Sequence, residues 1–224
     1  MRNFKIDGNT LKYYMGDEIN VIVPDCVTMI DEYAFYDCDM RSIVLPEGLK
    51  EIGASAFCGC KQLKSITIPG ENPKIGCLAF GRCESLEDLH ISDKAELDEC
   101  AFLLCKKLAD EQGMIIVNNE LFSCLEEAEH IVVPNGVKKI HMLCFFHYES
   151  TLKSIRIPGT VKEISPLSIE AVDNPNLTII APYFSIAHIW AEENNYKFKP
   201  ICLERIERII KKLSLGFIRK EYRI

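Results

Sequence analysis

Eleven cysteines and five histidines are the residues of this 224-residue chain with the most chemistry to offer. Thiols at short spacing bind zinc or pair as disulfides, and a histidine beside a carboxylate binds metal or moves protons. Four of the cysteines, Cys38, Cys60, Cys83 and Cys105, recur at a nearly constant interval. That regularity gives them one inward repeat position, where a free cysteine acts as a small hydrophobe. Cys58 and Cys60 have one residue between them, and no second pair stands at zinc-finger spacing. The start, Met-Arg-Asn-Phe-Lys-Ile-Asp-Gly, lacks the apolar run of a signal peptide, so reduced thiols in the cytoplasm are expected rather than disulfides. Asp88, His90 and His130 could meet on one face, but a metal or general-base site there needs a third ligand and a pocket. His141 and His147 read as ordinary turn residues. No glycine-rich phosphate loop, nucleophile elbow or two-histidine metal motif occurs. A buried repeat thiol is a poor nucleophile because burial raises its pKa. The expectation is a chain with no catalytic residue, no metal and no cofactor.

The elements around those residues recur. Phenylalanine falls at Phe35, Phe57, Phe80, Phe102 and Phe145, with Ile169 in a sixth copy. Ile30, Ile52, Ile75, Leu97, Ile140 and Ile164 stand five residues ahead of it, and Ala34, Ala56, Ala79, Ala101, Cys144 and Ser168 just before it. Three residues after it come the four cysteines, then Tyr148 and Val172. Val21/Val23, Ile43/Leu45, Ile66/Ile68, Leu89/Ile91, Ile131/Val133 and Ile155/Ile157 alternate as short strands do. Pro24, Pro46, Pro69, Pro134 and Pro158 close five of those six strands, and Ser92 takes the place in the fourth. A unit this short cannot bury an apolar face alone, whereas stacked units cover one another.

The stretch Leu49 to Pro69 carries the whole skeleton: Leu49, Ile52, Ala56, Phe57, Cys60, Leu63, Ile66, Ile68, Pro69. It resembles the rung of the BspA-like leucine-rich repeats, and the likeness runs from about Phe4 to Ile201. The resemblance implies an α/β repeat solenoid. It would be a right-handed leucine-rich-repeat stack, rich in strand, with short turn or 3-10 segments and C-terminal helices. It also implies a bacterial or protist surface or secreted protein that binds other molecules. That location is the alternative to the cytoplasmic one.

Residues 1–201 read as one repeat domain, with a hairpin cap over 4–18, an inserted hairpin over 113–129 and a closing helix over 184–195. Asp7-Gly8 marks the first hairpin turn. A single ungapped shift along the chain places the second hairpin: Ile6, Asn9, Leu11, Val23 and Pro24 become Ile116, Asn119, Leu121, Val133 and Pro134. In the closing helix Ser185 is the expected N-cap, and Ile186, Ile189 and Trp190 share one side. Residues 202–224 form an amphipathic tail. Leu203, Ile206, Ile209, Ile210 and Leu213 recur at helical spacing, with Arg205, Arg208, Lys211 and Lys212 on the other side. The tail is expected to fold back on the last rung; pairing with a second copy and binding a membrane surface are the alternatives.

The overall charge is −7; the segment from Ile201 has seven Lys or Arg against three Glu, leaving the body near −11. An acidic body argues against nucleic acid as the main partner. The longest uncharged stretch, about Thr178 to Ala191, is too short to span a bilayer. The role expected is a non-enzymatic recognition module for a protein or other macromolecule, as a monomer or weak homodimer. It would bind through its sheet face or the inserted hairpin. A structural protein pairing through its C-terminal helix is the second reading. On the sheet face Ile22, Val44, Thr67, His90 and Arg156 are the candidate binding residues, flanked by Asn20, Ser42, Ser65, Asp88 and Ser154.

Overall fold

In this computed structural model, residues 3–146, 151–169, 172 and 174–201 are described. Each alternating unit becomes a three-residue strand on what we call the front, and each Ile52-type position becomes a two-residue strand on the back. In the first half the front strands Asn20–Ile22, Ser42–Val44, Ser65–Thr67 and Asp88–His90 pair in parallel in chain order. Behind them Met29–Ile30, Glu51–Ile52, Lys74–Ile75 and Glu96–Leu97 form a second parallel ladder. Val21, Ile43 and Ile66 from the front meet Ile30, Ile52 and Ile75 from the back in one core. The expected strand-rich solenoid is found, and the α/β label holds only in part: the described residues are strands and turns, with one α-helix, Ile186–Glu193, and a 3-10 turn at Lys106–Leu108. The reason lies in the backbone hydrogen bonds. Phe35, Phe57 and Phe80 donate their N–H to Ala56, Ala79 and Ala101 of the next rung at 2.8, 2.8 and 2.9 Å, while alternate N–H groups close single turns, such as Ala56 to Gly53 at 3.2 Å and Cys58 to Ser55 at 3.1 Å, so no continuous α-helix forms. The second expected helix, from Leu203, lies outside the described residues.

The phenylalanines stack in register. Phe35, Phe57, Phe80 and Phe102 lie nearly parallel at successive centroid distances of 4.9, 5.2 and 5.6 Å. Beside them runs a thiol ladder. Cys60, Cys83 and Cys105 are fully buried, and each Sγ–H donates to the carbonyl of the preceding rung's phenylalanine, Phe35, Phe57 and Phe80, at 3.1, 3.2 and 2.9 Å. The neighbouring Cys83 thiol, then burial, push the Cys60 thiol above its ordinary range. Cys38, expected to be inward with the rest, is only half-buried because no repeat rung precedes it; burial still pushes it up to about 12. A maleimide is therefore expected to label the exposed Cys26 at once in the native protein and Cys60, Cys83 and Cys105 only after unfolding. Mass mapping of the labelled sites checks this.

The two hairpins share even their irregularity. Phe4–Asp7 pairs with Thr10–Tyr14, and Met114–Val117 with Glu120–Cys124, each with a register shift at the same place, Lys5/Ile6 and Ile115/Ile116. The first turn sits on Gly8-Asn9, one residue beyond the expected Asp7-Gly8, with Gly8 at φ +59°. Phe4, Ile6, Leu11 and Tyr14 pack on the first rung, while Lys5, Asp7 and Lys12 alternate with them on the outer side. The second hairpin has Ile115, Val117 and Phe122 where the first has those charges, and they join the core of the first half. Its Met114, Leu121 and Cys124 join the core of the second half. One hairpin is thus an end and the other a joint.

The joint interrupts both ladders. After it the front restarts as His130–Val132, Ser154–Arg156, Thr178–Ala181 and Lys197–Pro200, and the back as Glu120–Cys124, Lys139–Ile140 and Glu163–Ile164. Phe122 takes over the aromatic stack, edge-on to Phe102 at 5.2 Å and face-on to His141 at 3.8 Å. His141, expected to be an ordinary turn residue, has a fully buried side chain, with Nδ1 3.1 Å from Glu99 Oε2 and Nε2 2.6 Å from Glu120 Oε2. Both ring nitrogens thus face a carboxylate oxygen. Glu99 reaches across from the fourth rung: it accepts from Met142 N at 2.8 Å and Ser165 Oγ at 2.6 Å, and pairs with Lys139 Nζ at 3.0 Å. Burial alone would raise its carboxyl; the Met142 N–H, the Ser165 hydroxyl, Lys139 and His141 outweigh that and hold it at about 2.

Candidate recognition surface

On the front of the first half, alternation turns one residue of each strand outward between two inward ones. Ile22, Val44, Thr67 and His90 stand side by side on four successive strands. Ile22 is 71% exposed and Val44 59% exposed. Asn20, Ser42, Ser65 and Asp88 form a polar column beside them, in which Ser42 Oγ donates to Asn20 Oδ1 at 2.7 Å. The surface therefore has an apolar end and a polar end. A shallow groove of about 400 Å³ runs along it, lined among others by Ser42, Val44, Glu47, Ser65, Thr67 and His90. Ile19, just before the first strand, is also exposed. Reading the unit from its alternating pair misses it, although an isoleucine after Gly16-Asp17-Glu18 is itself a signal.

Arg156 is not part of this surface. It lies in the second front sheet, beside Val132 and Ile180, and is half-buried. The Asp88, His90 and His130 grouping also separates. Asp88 and His90 pair within one strand at 3.3 Å, both well exposed, while His130 begins the other front sheet and contacts Ser154 Oγ at 2.9 Å. The hairpin that breaks the ladder is the cause. Among the described residues no three His, Cys, Asp or Glu side chains gather as metal ligands.

The other broad faces have a different character. On the back of the first half the outward positions Glu51, Lys74 and Glu96 alternate in charge, and Lys74 Nζ lies 3.6 Å from Glu96 Oε2. The second front sheet is basic toward its end, where Lys197 and Lys199 are exposed. Among the described residues, exposed aliphatic side chains stand on adjacent front strands at Ile22 and Val44, whereas the exposed Val132 of the second front sheet has Arg156 beside it; desolvating the adjacent pair is what a partner gains from docking there. Among the described residues no helix is long and apolar enough to cross a membrane.

A family model for the BspA type leucine-rich repeat region matches residues 28–145 and 114–191, in six copies. Several solved structures are similar at low identity. A leucine-rich cell surface protein from Faecalibacterium prausnitzii A2-165 is 19% identical, with 77% of this chain and 71% of that one covered and a TM-score of 0.35. The T. pallidum leucine-rich repeat protein is 22% identical, with 76% and 62% covered and a TM-score of 0.35. A leucine-rich repeat protein from Eubacterium ventriosum ATCC 27560 is 19% identical, with 76% and 55% covered and a TM-score of 0.47. This chain thus spans only part of each of them. Among curated proteins nothing matches. The repeat skeleton read from Leu49 to Pro69 and the six-copy family match over well more than half of the chain have one conclusion: the chain belongs to the BspA-type leucine-rich-repeat family.

Proposed function

We propose that the protein is a recognition module that binds a protein partner along the front of its first half. The observation that carries this reading is the column Ile22, Val44, Thr67, His90, apolar at one end and polar at the other, held on four paired strands. The platform is rigid because its inward residues belong to the main core. An extended or flat partner that places apolar side chains on Ile22 and Val44 and donors or acceptors on Ser65, Asp88 and His90 fits both ends. Arg156 falls outside this surface and would act only on a partner long enough to pass the joint.

The test compares wild type with the double variant Ile22→Asp, Val44→Asp as baits in extracts of the source cell, with quantitative mass spectrometry. Both side chains are exposed, so the variant should melt within about 0.5 kcal/mol of the parent. The expected result is a small set of proteins retained by wild type and lost by the variant. Equal retention of every captured protein would reject this surface.

A further inference from the structure

The closing helix does not use the side shared by Ile186, Ile189 and Trp190 as its core side: of the three, only Trp190 packs against the core of the second half. Ser185 caps it, its Oγ accepting from His188 N at 3.2 Å, and the residues turned into the stack are Ala187, His188 and Ala191. Ile186 and Ile189 point out, Ile189 at 45% exposure, and Trp190 is half-buried against Tyr196 with centroids 5.1 Å apart. Phe184, just before the helix, is 88% exposed. The two ends of the molecule are therefore finished differently. At the first, the charged Lys5, Asp7 and Lys12 face away from the core beside Tyr13. At the second, large apolar groups are left on the surface, the kind of patch that marks a contact.

The chain itself supplies a match. The last strand pairs with the one before the helix in a register that sets Pro200 opposite Ala181, so the chain leaves at Ile201 from the same end of the strand at which the turn into the helix begins. Beyond that point the sequence continues over 202–224. The apolar positions Leu203, Ile206, Ile209, Ile210 and Leu213 recur there at helical spacing, and Arg205, Arg208, Lys211 and Lys212 fall between them. Glu192 and Glu193, both exposed, border the patch with the complementary charge. We propose that the segment from Leu203 to Leu213 lays its apolar positions over Phe184, Ile186, Ile189 and Trp190 of the same molecule and so closes the C-terminal end of the stack.

Trp190 is the only tryptophan, so its fluorescence reads this face directly. In the full chain, Ile206→Glu with Ile210→Glu is expected to shift Trp190 emission to the red and to speed its quenching by acrylamide, at a monomeric mass by light scattering for both proteins. Phe184→Glu, which alters the receiving surface at a side chain already exposed, should give the same shift. Unchanged emission and quenching in both variants would overturn the proposal. So would a wild-type dimer whose dilution alone reproduces the shift, because a second copy would then cover the face. Wild-type emission that moves only when phosphatidylglycerol vesicles are added would also overturn it, in favour of a lipid surface.

Discussion

Phe80→Ala is expected to destabilise the protein by about 3–5 kcal/mol, measured by urea unfolding. Phe80 is fully buried and stacked on both sides, 5.2 Å from Phe57 and 5.6 Å from Phe102. Removing its ring leaves a hole bounded by two flat rings whose backbones are fixed by hydrogen bonds to neighbouring rungs, so the site relaxes little. Each rung is supported only by its neighbours, so the loss at a middle rung weakens two interfaces together. A cost within about 0.5 kcal/mol would mean that the ring does not sit between its neighbours.

Glu99→Gln is expected to cost on the order of 3 kcal/mol at neutral pH and to remove part of the acid sensitivity of the fold. The Glu99 carboxyl lies at about 2 in the folded protein, below its ordinary 4.5. A depressed carboxylate stabilises the folded state fully above its unfolded value and loses that contribution as pH falls through the folded one. Wild-type stability should therefore decline as pH falls from about 4.5 toward about 2, and more steeply than that of the variant. Parallel curves for the two proteins over that window, from urea unfolding at successive pH values, would show that Glu99 does not hold the joint.

How much of this was legible in the chain depends on the range of the interaction. The stack was legible because its register is local: Ile52, Phe57 and Cys60 recur within one rung, and parallel stacking puts like on like. The second hairpin was legible as a copy of the first, since Ile116, Asn119 and Leu121 repeat Ile6, Asn9 and Leu11. Its role as a joint was written in Ile115, Val117 and Phe122, which replace Lys5, Asp7 and Lys12, but only the paired strands show that these alternate positions face the preceding rung. His141 could not be read, because its partners come from the fourth rung and the inserted hairpin. The same holds for the turns. Tyr33, Ser55, Leu78, Cys100, Leu143 and Leu167, each two residues before the aromatic position, all adopt φ between +54° and +60°. Glycine normally marks that conformation and none stands there, so stacking carries a strain that no residue type announces. In the closing helix, spacing groups Ile186, Ile189 and Trp190 on one side but does not say which side turns inward; the inward side carries Ala187, His188 and Ala191, with Trp190 at its edge.

The measurement that bears most directly on the recognition surface is site-specific photocrosslinking in the source cell. A photoreactive amino acid is placed at Thr67, outward on the first front sheet, and in a separate protein at Lys74, outward on the back of the same rungs. Both positions are exposed and neither belongs to the core, so both proteins fold alike. The account predicts discrete higher-mass adducts from position 67 and none from position 74. Adducts from position 74 with none from position 67 would contradict it.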